Sequence, residues 1–104
     1  MAEVKSRFRP VRQGRRLRAS FPVRLRTVLA GGLKGAGIDA EVRTEAVPTT
    51  KLHRVMVIAR KFKHLPPSER QDLVWRIVGT RFSQEEQLQI SMIVTLTPDE
   101  MAGK

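Results

Sequence analysis

Residues 54–59 read R-V-M-V-I-A. Five successive apolar side chains, three of them β-branched, are too few for a buried helix and too apolar for a loop, so they read as a strand. Side chains along a strand alternate between its two faces, and a strand apolar on both belongs in the centre of a sheet, covered on each side. This requirement forces a strand onto either flank and helices over the sheet, and the rest of the chain must supply them.

Upstream, Ile38, Ala40, Val42 and Thr44 alternate with Asp39, Glu41, Arg43 and Glu45, the period of two that marks an edge strand with one wet face. Pro48, Thr49, Thr50 and Lys51 form a turn short enough to make this strand antiparallel to 54–59. Downstream, Leu88, Ile90, Met92, Val94 and Leu96 alternate with Gln89, Ser91, Ile93 and Thr95, so one face is apolar for five positions before Pro98 ends the strand. Two helices fill the intervals. Ser20 is placed to cap the first, with Pro22 in its opening turn. Phe21, Leu25, Val28, Leu29 and Leu33 recur at spacings of three or four, with Arg24, Arg26 and Thr27 on the other side. Gly31, Gly32, Gly35 and Gly37 make continuation costly, by about 1 kcal/mol each relative to Ala, and the helix is expected over 21–34. The second helix opens at Pro66 and Pro67 with Ser68 and Gln71 as a capping box, buries Leu73, Val74, Ile77 and Val78, and stops at Gly79. Ser83 with Glu86 suggests one more turn over 83–87. A strand, a helix and a strand in that order make a right-handed parallel crossover. The expected fold is α+β in the order α-β-β-α-β, a three-stranded mixed sheet covered by helices, with the domain at 20–100 and a flexible C-terminus at 101–104.

Composition narrows the function. The 104 residues contain no Cys, no Tyr and two His, which removes thiolate chemistry, disulfides and cysteine-held metals. No catalytic constellation can be assembled, so an enzyme is not expected, nor a cofactor or a metal. No apolar run approaches the roughly 18 residues of a membrane span, and there is no apolar secretory segment, which makes the cytoplasm the expected location. Twenty Lys and Arg face ten Asp and Glu, and the excess is local: residues 1–26 hold nine basic side chains against one acid, Glu3, a net of +8. Within 1–19 the apolar residues are few and irregular, and Pro10 and Gly14 interrupt any helix, so this segment reads as a disordered basic arm. Three uses are open to it: pairing of Arg7, Arg9, Arg12, Arg15, Arg16 and Arg18 with nucleic-acid phosphates, an organelle transit peptide, or a tail that solubilises the chain or docks on an acidic partner.

Arg60, Lys61, Lys63 and His64 cluster between the second strand and the second helix, and Arg70 follows near that helix's positive N-terminal end. They read either as a phosphate-binding loop working with the arm or as a solvated basic loop. Gln71 and Arg70 can reach base edges in a major groove, but Glu69 and Asp72 beside them argue for weak sequence preference. Gly32-Leu33-Lys34-Gly35 has the G-x-x-G form of a phosphate clamp in a stretch where glycines recur anyway. His53 and His64 lie at opposite ends of a strand rising about 3.3 Å per residue, too far apart to share a metal. Trp75 falls off its helix's apolar stripe, at the core margin or exposed as an anchor for a partner, and Phe62 and Phe82 read as core plugs.

The blocks R-V-M-V-I-A-R-K-F (54–62), E-R-Q-D-L-V (69–74) and I-S-M-I-V-T-L-T-P-D-E (90–100), in this spacing, resemble the BolA family over roughly residues 22–100. The resemblance implies a small non-enzymatic protein with a class II KH-like fold. It also implies one of two roles, DNA binding linked to transcription regulation and stress response, or partnership with a monothiol glutaredoxin in iron–sulfur traffic. In the second role a His near the start of helix two is a cluster ligand; the matching position here is Gln71, a poor iron ligand. The Arg that follows it in the family is Asp72, a glycine position is His64, and the loop V-P-T-T-K-L holds neither Cys nor His. The expectation is a divergent BolA-like protein, a monomer or weak homodimer, binding nucleic acid through its arm and the loop before helix two, with the glutaredoxin adaptor as the alternative.

Overall fold

β2 (His53–Ala59) is the middle strand of the sheet. The structure, a computed structural model, describes residues 19–103. β1 (Ala40–Ala46) runs antiparallel to β2, with Ala40 opposite Ala59 and Ala46 opposite His53. β3 (Ile90–Leu96) runs parallel to it on the other side. α1 (Phe21–Gly35) precedes the sheet, and the 3-10 turn Arg60–His64 with α2 (Pro67–Arg81) carries the chain from β2 toward β3. Two one-turn helices bracket β3, α3 (Gln84–Gln87) before it and α4 (Pro98–Met101) after it. The protein is therefore α+β, a three-stranded mixed sheet covered by helices. Among the described residues no helix is long and apolar enough to cross a membrane.

The helices lie on one face of the sheet. Leu25, Leu29 and Leu33 of α1 and Val74 and Val78 of α2 bury against Val55 and Val57 of β2 and Ile93 of β3, with Phe62 and Phe82 closing the core at element ends. Trp75 packs partly buried at its margin. α1 and α2 approach closely at Gly32, where a Cβ would stand 2.8 Å from Cγ2 of Ile77. α1 thus runs through Gly31 and Gly32 to Gly35, one residue past the expected end at 34, and at Gly32 the missing side chain is what lets the two helices pack. The stop comes later, where Gly37, at φ +82°, follows the last turn. Its N–H reaches the carbonyl of Lys34 and the Ile38 N–H that of Leu33, a Schellman closure that needs the left-handed conformation glycine adopts freely.

Other local expectations are corrected. Ser20 occupies the N-cap of α1 but its side chain makes no capping hydrogen bond. α2 begins from Pro66, which leaves Ser68 inside the first turn and the Ser68–Gln71 box unformed; the Gln71 amide instead donates to the Ile93 carbonyl at 2.8 Å. α2 also passes through Gly79, where a Cβ would meet nothing within 4 Å, and ends at Arg81. α4 carries helix to Met101, into the stretch expected to be a flexible end.

The largest correction concerns β3. His53 pairs with Ile90 but Arg54 with Met92, so Ser91 is an extra residue, a bulge. One inserted residue exchanges the two faces of everything after it. Ile90, Ile93 and Thr95 are the buried side chains, whereas Met92, expected to be inward, is 49% exposed, and Leu88, at 76%, lies outside the strand. β2 is likewise central; the two long helices cover its Val55 and Val57 face, while on the other face Ile58 is buried, Met56 half-buried and Arg54 exposed. By register, the opposite face is a grid of Glu41, Ile58 and Leu96, then Arg43, Met56 and Val94, then Glu45, Arg54 and Met92.

Candidate nucleic-acid interface

The chain leaves β2 at Ala59 and turns at once into the 3-10 segment R-K-F-K-H. Phe62 is wholly buried, and its ring fixes the turn to the core. A tight turn anchored by its third residue must point the flanking ones outward, and Arg60, Lys61, Lys63 and His64 are all exposed. Lys61 is steered further, its Nζ donating to the Gly37 carbonyl at 2.6 Å, at the end of α1. Four of the five expected loop cations thus share one surface, while the arm residues Arg7, Arg9, Arg12, Arg15, Arg16 and Arg18 lie outside the described residues.

Arg70 does not belong to that surface. It is 5% exposed, with its guanidinium 5.7 Å from the centre of the Phe62 ring. Its Nε donates to the Leu65 carbonyl at 2.8 Å and its Nη1 to Oε1 of Glu100 at 2.8 Å. A cation whose donors are taken inside the protein is not offered to a phosphate, and Arg70 is a structural residue. Sequence reasoning misses its partner although a signal exists: Thr97-Pro98-Asp99-Glu100 has the T-x-x-E form of a capping box. Thr97 N–H donates to Glu100 Oε1 at 2.9 Å and Glu100 N–H to Thr97 Oγ1 at 3.1 Å. Arg70 and the Thr97 backbone N–H together hold the Glu100 carboxyl below its ordinary range, Arg70 contributing more.

The exposed turn is not uniformly positive around its rim. Arg60 and Lys61 share a shallow depression of about 470 Å³ with Asp39, Glu41, Ile58 and Pro98. Arg60 and Lys63 border a second with Thr97 and Asp99. Three carboxylates around four basic groups moderate the local field, and they favour contacts to individual phosphates over a broad attractive basin.

The other motifs resolve into structure. Gly32-Leu33-Lys34-Gly35 is helical throughout, so its backbone N–H groups are engaged in α1 and clamp nothing. His53 lies tilted against Phe21, ring centres 5.8 Å apart, and His64 stands beyond the far end of β2, at the end of the 3-10 turn. Gln71 is bonded to β3 as described above. No protein-family model matches this chain, and no curated protein matches it.

Proposed function

We propose that this is a non-catalytic BolA-like regulatory protein that binds nucleic acid through its basic arm and the 3-10 turn before α2. The observation that carries the reading is the turn itself: Phe62 is sunk in the core, and Arg60, Lys61, Lys63 and His64 are held outward around it, in a chain whose net charge is +10. Arginines and lysines presented this way neutralise phosphates and release condensed counterions, a contribution independent of base sequence. Among the described residues, nothing beside the turn supplies a base-reading helix face, since Arg70 is buried and Glu69 and Asp72 flank it. Weak sequence preference follows.

Titration of duplex DNA and single-stranded RNA at several salt concentrations tests this. The log of the affinity should fall against log salt with a slope of about −4 or steeper. Deleting residues 2–19 should remove most of the binding, and replacing Arg60, Lys61 and Lys63 by Ala should flatten the slope by about one for each phosphate that is no longer neutralised. A response flat in salt overturns the proposal. The adaptor reading makes a different demand, a stable complex with a monothiol glutaredoxin; the same titration with that protein, insensitive to loss of the arm, would favour it instead.

A further inference from the structure

A surface built only for phosphates has no use for the carboxylates that stand around the basic turn, since each opposes the anion that the cations attract. Glu41 is accounted for by Arg43, whose Nε donates to it at 2.6 Å. Asp39 and Asp99 are not: both are exposed, and neither has an ion-pair partner among the described residues. Each shares a depression with cations. Asp39 borders the one of about 470 Å³ with Arg60, Lys61 and the nearly buried Ile58, and Asp99 borders one of about 340 Å³ with Arg60 and Lys63. Arg60 and Pro98 line both, so the two depressions adjoin with a guanidinium and a proline ring between them.

We propose that each depression receives one unpaired base of a single-stranded nucleic acid, guanine being preferred, with the base edge donating to Asp39 in one and to Asp99 in the other. The proposal rests on the nucleic-acid reading and adds to it the form of the strand and the identity of the base. An ionised carboxylate only accepts hydrogen bonds. Guanine alone among the bases presents two adjacent donors on its Watson–Crick edge, N1–H and the N2 amino group, and these match the two oxygens of one carboxylate. Cytosine and adenine offer a single amino group beside a ring nitrogen that the carboxylate repels, and uracil and thymine offer one N–H between two carbonyl oxygens. In a duplex those edges are taken by pairing, so this readout requires a single strand.

The rest of the lining suits the same ligand. A guanidinium plane stacks on base faces, and Arg60 is exposed and in no ion pair among the described residues. Lys61 gives one donor to the Gly37 carbonyl at 2.6 Å and keeps its others, and Lys63 is exposed at the second depression, so each base has a cation beside it for its phosphate. The preference is confined to two positions of the strand, in keeping with the lack of a base-reading helix face among the described residues.

Fluorescence anisotropy with the full chain tests this on three probes: a strand of uridines, the same strand with two adjacent guanosines at its centre, and the guanosine strand annealed to its complement. The guanosine strand should bind about tenfold tighter than the uridine strand, and tighter than its own duplex. Asp39→Asn and Asp99→Asn give the sharper sign. Each removes a negative charge, so the uridine strand should bind more tightly. Each also puts a donor in place of one acceptor oxygen, so the guanosine preference should fall by about threefold. Carboxylates that only moderate the field would leave the ratio of the two strands unchanged. Both positions are exposed, and circular dichroism checks that the variants fold. Equal binding of the guanosine and uridine strands, a tighter grip on the duplex, or an unchanged ratio in both variants overturns the inference; if binding still falls steeply with salt, the broader nucleic-acid reading survives that result. Absence of salt-dependent binding to every probe overturns both.

Discussion

Ser83 and Glu86 close a capping box just ahead of β3, and Thr97 and Glu100 close one just behind it. In both, the glutamate at the third helical position also grips an arginine from a long helix. Glu86 takes Arg24 of α1 at 2.6 Å, and Glu100 takes Arg70 of α2 at 2.8 Å. In both, the arginine lies near aromatic rings: Phe21 and Phe82 for Arg24, Phe62 for Arg70. The plans match but the placements differ. The Arg70 side chain is 6% exposed and has the Leu65 carbonyl as a second acceptor, whereas Arg24 is 36% exposed and its Nε finds no partner. The same motif is thus an internal fastening at the C-terminal end of β3 and closer to a surface latch at the other. Burial of the arginine, more than the ion pair itself, decides how much each holds.

The contrast is broken most directly at Arg70. Arg70→Ala strips a packed side chain from Phe62 and leaves the Leu65 carbonyl without its donor, which should destabilise the domain by about 2–4 kcal/mol. Chemical denaturation would show this as a lower midpoint at unchanged slope. A loss below about 1 kcal/mol would mean that the fastening at Glu100 is no firmer than an exposed pair. Next in size is the cap. Thr97 is buried, so Thr97→Ala should cost about 1–2 kcal/mol against about 0.5–1 for Ser83→Ala at its exposed counterpart. Equal losses in the two would place the difference in the arginines alone. Smaller again is Arg24→Ala, where solvent screens the pair and an unsatisfied Nε is removed along with it; up to about 1 kcal/mol is expected.

How legible these parts are depends on whether their cause is local. The central position of Val55–Ala59, the stripe of Leu25, Leu29 and Leu33, and the Ser83–Glu86 box all follow from neighbours in sequence, and they stand in the structure. The phase of β3 does not follow: Leu88 to Leu96 alternates evenly, and only the pairing of Arg54 with Met92 reveals that Ser91 is surplus. Gly32 reads as a breaker until Ile77, forty-five residues on, is seen against it. Arg70 reads as a surface cation because its partner at Glu100 is thirty residues away, and Pro98, which reads as a simple stop, conceals the box that presents that partner. At the candidate site, Arg60, Lys61, Lys63 and His64 are legible as a group because the cause is one residue among them, the buried Phe62.

The smallest effect is also the sharpest test of the difference between the two fastenings. Both glutamates have their pKa lowered from the ordinary 4.5, but by causes in opposite order: for Glu86 the Ser83 backbone N–H comes first and Arg24 second, and for Glu100 Arg70 comes first and the Thr97 N–H second. A folded pKa below the unfolded one gives stability that is complete above the unfolded value and is lost as the pH falls through the folded value, so acid loosens both ends of β3. Removing the arginine should not act equally. Arg24→Ala leaves Glu86 with its first cause intact, whereas Arg70→Met, which keeps an apolar stem over Phe62, takes the first cause from Glu100, so both midpoints should rise and that of Glu100 by more. Carboxyl-carbon NMR titration of the two side chains measures this. Equal upward shifts would show that the guanidinium plays the same part at both ends, and that burial of Arg70 serves packing alone.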